Sequence, residues 1–290
     1  MTILGDKLKS GKFVVTAELF PPKGVDISDL MKRADIIGPV VDAINITDNQ
    51  RATMRLGSLA ISRLLKERGY EPILQMTCRD RNRLALQSDL LSAYVLGIQN
   101  ILILSGDHNQ IGEYKDAKAV YDLDPVQLLR AARGLENGVD MAGKKLKGSP
   151  SYCLGAVVNP TASPSELQIM MMKKKANAGA EFFQTQPVFD VAGYREFVGK
   201  ISGLKTKVLP GVILIKSVEF IKFLVSMPGV NIPKDIVERM EGSADPLREG
   251  IKICAETITE LKKFSDGVHI MAIGMEEYIP EILSKVHGGV

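Results

Sequence analysis

A carboxylate stands at position 18 inside the apolar run Val14-Val15-Thr16-Ala17-Glu18-Leu19-Phe20, just ahead of Pro21-Pro22. Burial in such a run disfavours the charged form of a carboxylate. A carboxylic acid that keeps its proton near pH 7 is what general acid catalysis requires. The same pattern suits a carboxylate paired with a buried Lys or Arg, and spacing alone leaves the two readings level. Other apolar runs also end on polar side chains: Thr47-Asp48-Asn49, Gln75-Met76-Thr77-Cys78, Ser105-Gly106-Asp107-His108 and Gln184-Thr185-Gln186-Pro187. Gly106 would let the backbone approach a ligand, and Gln186 carries both a donor and an acceptor for the edge of a heterocycle. Each ending also fits a plain turn or a tied-down strand end. Convergence of several points to a site more strongly than any one of them.

Lys173-Lys174-Lys175 follows Met170-Met171-Met172. Three successive lysines cannot share one helix face, so the run is either a solvated face at the negative end of a helix or a source of one phosphate contact. The methionines suit core packing. Cys78, Cys153 and Cys254 are far apart and without a CxxC pair, and His108, His269 and His287 form no HxxxH pattern. These patterns favour buried, neutral thiols and assign no metal. No Gly-rich dinucleotide motif, phosphate-binding loop or nucleophile elbow is present, which argues against the common nucleotide folds and serine hydrolases.

Eight β-branched, apolar runs must position these groups: Phe13–Phe20, Asp42–Thr47, Pro72–Thr77, Ile98–Ser105, Leu154–Asn159, Glu181–Pro187, Lys207–Leu214 and Val268–Gly274. Helical periodicity separates them, as in Leu56, Leu59, Ala60, Ile61, Leu64 and Leu65. Ser163-Pro164-Ser165-Glu166 predicts a helix start capped by Ser163, and Asn177-Ala178-Gly179 predicts its stop. Strand and helix alternating eight times predict an α/β chain folded as a single (β/α)8 TIM barrel over residues 1–290, with an open doubly wound sheet as the alternative. Two longer connections interrupt the rhythm. Asp107–Asp122 follows a strand and falls on the catalytic face of a barrel, whereas Asn137–Tyr152 precedes one and falls on the opposite rim.

Composition agrees with a large apolar core: 45% of residues are hydrophobic and 24% charged. The 37 Lys and Arg nearly balance the 34 Asp and Glu, which argues against a nucleic-acid binder. No run of about 18 apolar residues is present to span a bilayer, and the opening Met1–Lys12 has no apolar core of a secretory signal. A cytoplasmic location is expected.

The segment Ala17-Glu18-Leu19-Phe20-Pro21-Pro22-Lys23 resembles the first-strand signature of methylenetetrahydrofolate reductases. The likeness continues in order through Asn45–Asp48, Met76–Cys78, Leu104–Asp107, Lys175–Ala180, Gln184–Asp190 and Leu209–Val212. The resemblance implies a flavin barrel in which reduced FAD passes hydride to the methylene carbon of 5,10-methylenetetrahydrofolate, giving 5-methyltetrahydrofolate. It makes Glu18 the acid that protonates the departing nitrogen, sets Asp107 near flavin and pterin, and has Gln186 orient the folate, with Phe220 as a further substrate contact. Thr47, Gln75, Gly106, Asp107 and Ala156 fall among the implied FAD contacts, with Lys175 or Lys174 near the phosphates. Gln75 stands where bacterial relatives often have His, Val157 replaces an aromatic residue, and the stretch from Lys216 to Leu224 departs from the pattern of relatives that use NADH. The ending Met271–Glu277 is similar to that of reductases from anaerobic bacteria and archaea, some of which work with a separate iron–sulfur subunit. NADH or such a partner is therefore the implied electron donor, and a homo- or hetero-oligomer remains open. Two other classes compete: a flavin-free, pterin-binding methyltransferase subunit, and a non-catalytic folate-binding component of a one-carbon complex.

Overall fold

The computed structural model describes residues 2–225 and 230–287. Its strands are β1 (Val14–Leu19), β2 (Ala43–Ile46), β3 (Pro72–Thr77), β4 (Asn100–Leu104), β5 (Cys153–Val158), β6 (Phe182–Pro187), β7 (Lys207–Ile213) and β8 (Gly267–Met271). They pair in chain order, all parallel, and β8 returns to β1 with Val14 opposite Gly267 and Ala17 opposite Ile270. Closure decides for the barrel over the open sheet. It leaves no unpaired sheet edge.

α1 (Ile3–Lys9) comes before the first strand, and α2 (Ser28–Ile37), α3 (Ser58–Glu67), α4 (Arg83–Val95), α5 (Pro125–Glu136), α6 (Ser165–Asn177) and α7 (Val191–Ile201) each follow one. Among the described residues, three helices lie between β7 and β8, α8 (Val218–Val225), α9 (Lys234–Glu241) and α10 (Pro246–Leu261), and α11 (Ile279–His287) follows β8. Start signals in the sequence explain the clean helix boundaries. Asp124 and Gln127 form a reciprocal capping box around Pro125 at the head of α5, and Asn82 accepts from the backbone N–H groups of Leu84 and Ala85 at the head of α4. For α6 the stop at Asn177 is as expected, but the start differs: Pro164 occupies the cap position and no side chain caps the helix. β8 ends at Met271, before the expected Gly274, because Ile273 and Gly274 turn into the left-handed region (φ 46° and 84°).

Period-two alternation sorts the strand residues between two cores. Ile44, Ile46, Leu74, Ile101, Leu154, Val268 and Ile270 face outward and pack against helix residues such as Ile61, Leu65 and Leu86. Val14, Ala43, Ile73, Leu102, Cys153, Phe182 and Leu209 face the lumen, where Leu4 and Leu8 of α1 plug the amino-terminal end. A third cluster, including Ile213, Phe220, Leu224, Ile236 and Met240, packs α8 and α9 beside the carboxyl end of β7.

The two long connections land on opposite rims. Residues 105–124 run over the carboxyl ends of the strands and include a short 3-10 turn, Asn109–Ile111. Residues 137–152 lie at the amino-terminal rim and fold back on themselves through pairing of Val139 with Lys145. Among the described residues no helix is long and apolar enough to cross a membrane.

Candidate active site

Above its apolar floor the lumen turns polar. Thr16, Asn45, Gln75, Gln184 and His269 are all buried there. The Asn45 amide donates to Gln184 Oε1 at 2.7 Å, and Gln184 Nε2 donates back to Asn45 Oδ1 at 3.1 Å and to Thr16 Oγ1 at 3.2 Å. Thr16 Oγ1 lies 3.0 Å from His269 Nδ1, and His269 Nε2 lies 3.6 Å from Glu18 Oε2. One connected set of polar groups thus joins β2, β6, β1 and β8 and ends on the Glu18 carboxylate, itself only 5% exposed. The partner of Glu18 in the lumen is therefore a histidine and not the Lys or Arg that the sequence left open. His269 had no motif around it, so the sequence offered nothing by which to single it out. Thr16, two residues before Glu18 on the same strand face, was legible in principle from period two.

At the mouth, Asp48 and Asp107 hold different posts. Asp48 is buried and accepts from Thr77 N at 2.8 Å, from Thr77 Oγ1 at 3.0 Å and from Arg81. Asp107 is exposed, and its Oδ2 accepts from the backbone N–H of Arg51 at 2.8 Å. Gly106 takes φ 84°, and a Cβ there would come within 3.1 Å of Thr77 and Arg79. Thr47 is 1% exposed and its hydroxyl has no hydrogen-bond partner. A buried hydroxyl without a partner is costly in a native protein and marks a place where a ligand can supply one. Gln186, at the carboxyl end of β6, is exposed where the β6–β7 register shifts between Gln184 and Pro187. Such a shift re-aims side chains next to active sites.

The lysine run is resolved by burial. Lys173 and Lys174 are exposed, whereas Lys175 turns inward and donates to the Val157 carbonyl at 2.7 Å. Burial pulls its pKa below the usual lysine value, with Asp124 partly opposing. Ala156 falls elsewhere. Its side chain is fully buried in the layer between sheet and helices, because Gly155 and Val157 take the lumen-facing positions of β5, so any ligand contact there would run through backbone. Phe220 is 9% exposed and packs in the satellite cluster, with Lys216 over its ring at 5.3 Å. Phe223 is the more exposed of the pair, stacked on Phe220 and lying under the Arg51 guanidinium at 5.2 Å. Neither Phe223 nor Arg51 was singled out from the sequence. Their meeting joins the turn after β2 to α8, which no local pattern records. All three cysteines are buried, and burial pushes each thiol up to about 12.

A cavity of about 510 Å³ opens at the other rim, lined by Leu8, Lys9, Cys153, Glu181 and Lys207 among others. It sits at the amino-terminal ends of β5 and β7, away from Glu18. The carboxyl end of the barrel is where enzymes of this fold place their chemistry.

An all-parallel closed barrel with a buried acid below a polar mouth defines a (β/α)8-barrel of the enzyme type. The model of the methylenetetrahydrofolate reductase family matches residues 3–287, and the chain belongs to that family of oxidoreductases. It is 27% identical over 226 residues to the probable methylenetetrahydrofolate reductase (NADPH) of Caenorhabditis elegans, covering 75% of this chain but only 32% of that protein. With the 5,10-methylenetetrahydrofolate reductase of Pectobacterium carotovorum it shares 25% identity over 239 residues, 80% of this chain and 74% of that one. Among solved structures, a Clostridium thermocellum protein described as binding two copies of 5-methyl-5,6,7,8-tetrahydrofolic acid matches with a TM-score of 0.69 at 16% identity. The match covers 99% of this chain and 98% of that one, a likeness of fold.

The polar set in the lumen makes a stability prediction. Gln184→Met keeps the volume but strips Asn45 of both its amide partners and Thr16 of one. Leaving buried polar groups unsatisfied costs about 1 to 3 kcal/mol. Urea unfolding should show a loss of that size, and an unchanged midpoint would mean that water replaces the amide.

Proposed function

We propose that the chain reduces 5,10-methylenetetrahydrofolate to 5-methyltetrahydrofolate, with Glu18 as general acid and FAD as cofactor. The observation that carries this reading is the buried Glu18 carboxylate in the lumen, beneath a mouth where Asp107 and Gln186 are exposed. FAD, when bound, supplies the hydride that the methylene carbon receives. Thr47, with its unpartnered hydroxyl, Gly106, Gln75 and Lys175 are the residues that would hold it, Lys175 exchanging its carbonyl partner for a phosphate oxygen.

The methylene carbon bridges two folate nitrogens. When one carbon–nitrogen bond opens, its electron pair stays on nitrogen and takes a proton. Glu18 is the donor in this reading, held in place by packing and facing His269. Gln186 orients the pterin through an amide that both donates and accepts. Asp107 is an exposed acceptor fixed by the Arg51 N–H, and in this reading its charge would favour the positive folate iminium. The folate ligand described for the Clostridium thermocellum protein supports folate as the substrate class.

The basic experiment is the absorption spectrum of the purified chain and its uptake of FAD. A colourless protein that takes up no FAD but binds folate would favour the flavin-free methyltransferase subunit or the non-catalytic folate-binding component. Given a flavoprotein, Glu18→Gln should keep FAD bound and reducible while folate turnover falls roughly 100- to 10,000-fold, the usual contribution of a general acid. Near-normal turnover would remove Glu18 from its role.

For the lysines, FAD retention should weaken in Lys175→Ala and hardly change in Lys173→Ala. A charge-assisted phosphate contact contributes roughly 1.5 to 3 kcal/mol, whereas an exposed lysine is close to neutral. Equal FAD dissociation constants for the two variants would leave only the solvated-face role.

The electron donor is proposed to be a redox partner, with NADH a poor substitute. The segment Lys216–Leu224 departs from the NADH-using pattern, and its Phe223 already engages Arg51 across the mouth. Anaerobic stopped-flow should show slow bleaching of the flavin by NADH or NADPH, yet folate turnover once the flavin is reduced chemically. Bleaching by NADH as fast as folate turnover would sink the partner.

A further inference from the structure

Arg79 is the largest side chain with almost no exposure, at 2%, and it sits among the loops of the mouth. An isolated buried guanidinium is strongly disfavoured, so its partners define why it is there. Asp80 takes two of its N–H groups in a bidentate pair, at 2.7 Å from Nε and 2.7 Å from Nη2. Those bonds, against the opposing effect of burial, raise the Arg79 pKa. On the other side burial resists ionisation of Asp80, yet the bonds from Arg79 hold its carboxyl below the usual range. The pair is locally neutral, so Arg79 adds little net charge to the mouth.

The remaining donors reach two different loops. Nη1 donates to the Asp107 carbonyl at 2.9 Å, and Nη2 donates to the Asn49 carbonyl at 3.1 Å. Those loops carry the two ends of the bond that fixes the Asp107 carboxylate: Asp107 itself, and Arg51, whose N–H donates to it. The Arg51 loop is backbone-strained, with Asn49, Arg51 and Ala52 all left-handed at φ 45°, 55° and 51°. Non-glycine residues hold that conformation, at about 1 to 3 kcal/mol each, only where surrounding contacts over-determine it. Further contacts lead back to the same side chain. The Asn49 amide bonds Asp80 at 3.3 Å, Val120 N bonds the Arg79 carbonyl at 2.7 Å, and Gly106 packs against the Arg79 Cβ.

We propose that Arg79 is a positioning residue for the reaction: it clamps the loops after β2 and β4 so that the Asp107 carboxylate meets the Arg51 N–H and faces the ligand. The proposal rests on the role given to Asp107 above. It requires the planar fork of arginine, since two parallel bonds to Asp80 and two divergent bonds to carbonyls cannot be made from the single ammonium of lysine. A purely electrostatic role would accept lysine.

The test uses Arg79→Lys, Arg79→Met, Asp107→Asn and the double variants, in the FAD-loaded chain. Both Arg79 variants should keep FAD bound and lose folate turnover in kcat, on the order of 10- to 100-fold, as expected for a small misplacement of a reacting group. In the Asp107→Asn background neither should add more than about twofold, because the residue it positions is already gone. Restoration of turnover by lysine, or losses that multiply in the double variant, would overturn the clamp. A crystal structure of Arg79→Lys gives a readout independent of activity and of whether Arg79→Met folds. The Asp107 carboxylate is expected to leave the Arg51 N–H, and its retention there would overturn the proposal. Normal turnover of Asp107→Asn alone would remove the catalytic role of Asp107, while the carboxylate's position in the lysine variant still decides the clamp.

Discussion

A carboxylate can stand inside a sealed barrel only if the polar groups around it are satisfied by one another. In this chain that constraint is met by the set Asn45, Gln184, Thr16 and His269, which crosses the lumen and ends on Glu18. The amide pair is reciprocal, with each side chain both donor and acceptor, so it specifies how β2 faces β6 across the barrel. An apolar layer there would seal the lumen equally well but would leave Glu18 without a polar neighbour below. Partly satisfied networks are worse than apolar packing, which is why these residues act as a unit.

The division of the lumen into an apolar floor and a polar upper layer follows from what each end must do. At the amino-terminal end Leu4 and Leu8 of α1 close the barrel against Val14, Ile73, Leu102 and Phe182, packing that supports stability. At the carboxyl end the strands stop on groups that still have bonding capacity, such as the Thr47 hydroxyl and the Gln186 amide. The long connection at that end, residues 105–124, packs into the site. Gly112 lies so close to Ala52 that a Cβ would fall 2.1 Å from its carbonyl oxygen. The other long connection, 137–152, lies at the far rim and folds back on itself.

The mouth is also built differently on its two sides. Around β2, β3 and β4 it is held by charged hydrogen bonds centred on Asp48 and on the Arg79–Asp80 pair. Beside β7 it is lined by α8, whose Phe220 and Phe223 stack over an apolar cluster. A ligand with an anionic or polar end and a flat aromatic body meets both kinds of surface. This division fits the family to which the chain belongs and the proposed pair of flavin and folate.

The sequence by itself determined the fold, because hydrophobic period and helix stop signals are local and repeat eight times. Each of the eight apolar runs from Phe13–Phe20 to Val268–Gly274 overlaps a strand, with β5 and β8 each starting one residue earlier, at Cys153 and Gly267. It also marked Glu18, Thr47, Asp107 and Gln186, since a polar residue at the end of an apolar run needs no partner to be noticed. The catalytic and binding roles proposed for them rest on family resemblance. Tertiary structure alone decided what those residues touch. It paired Glu18 with His269, 251 positions away. It sent Ala156 to the outer layer, turned Lys175 and not Lys174 inward, and packed Phe220 into the cluster beside β7 while bringing Phe223 under Arg51. It also made Arg79, an unremarked residue of the Cys78-Arg79-Asp80 stretch, the meeting point of two loops. The physical reason is the same in each case: burial and hydrogen bonding at a barrel mouth are set by loops from different strands, and their meeting depends on closure of the sheet.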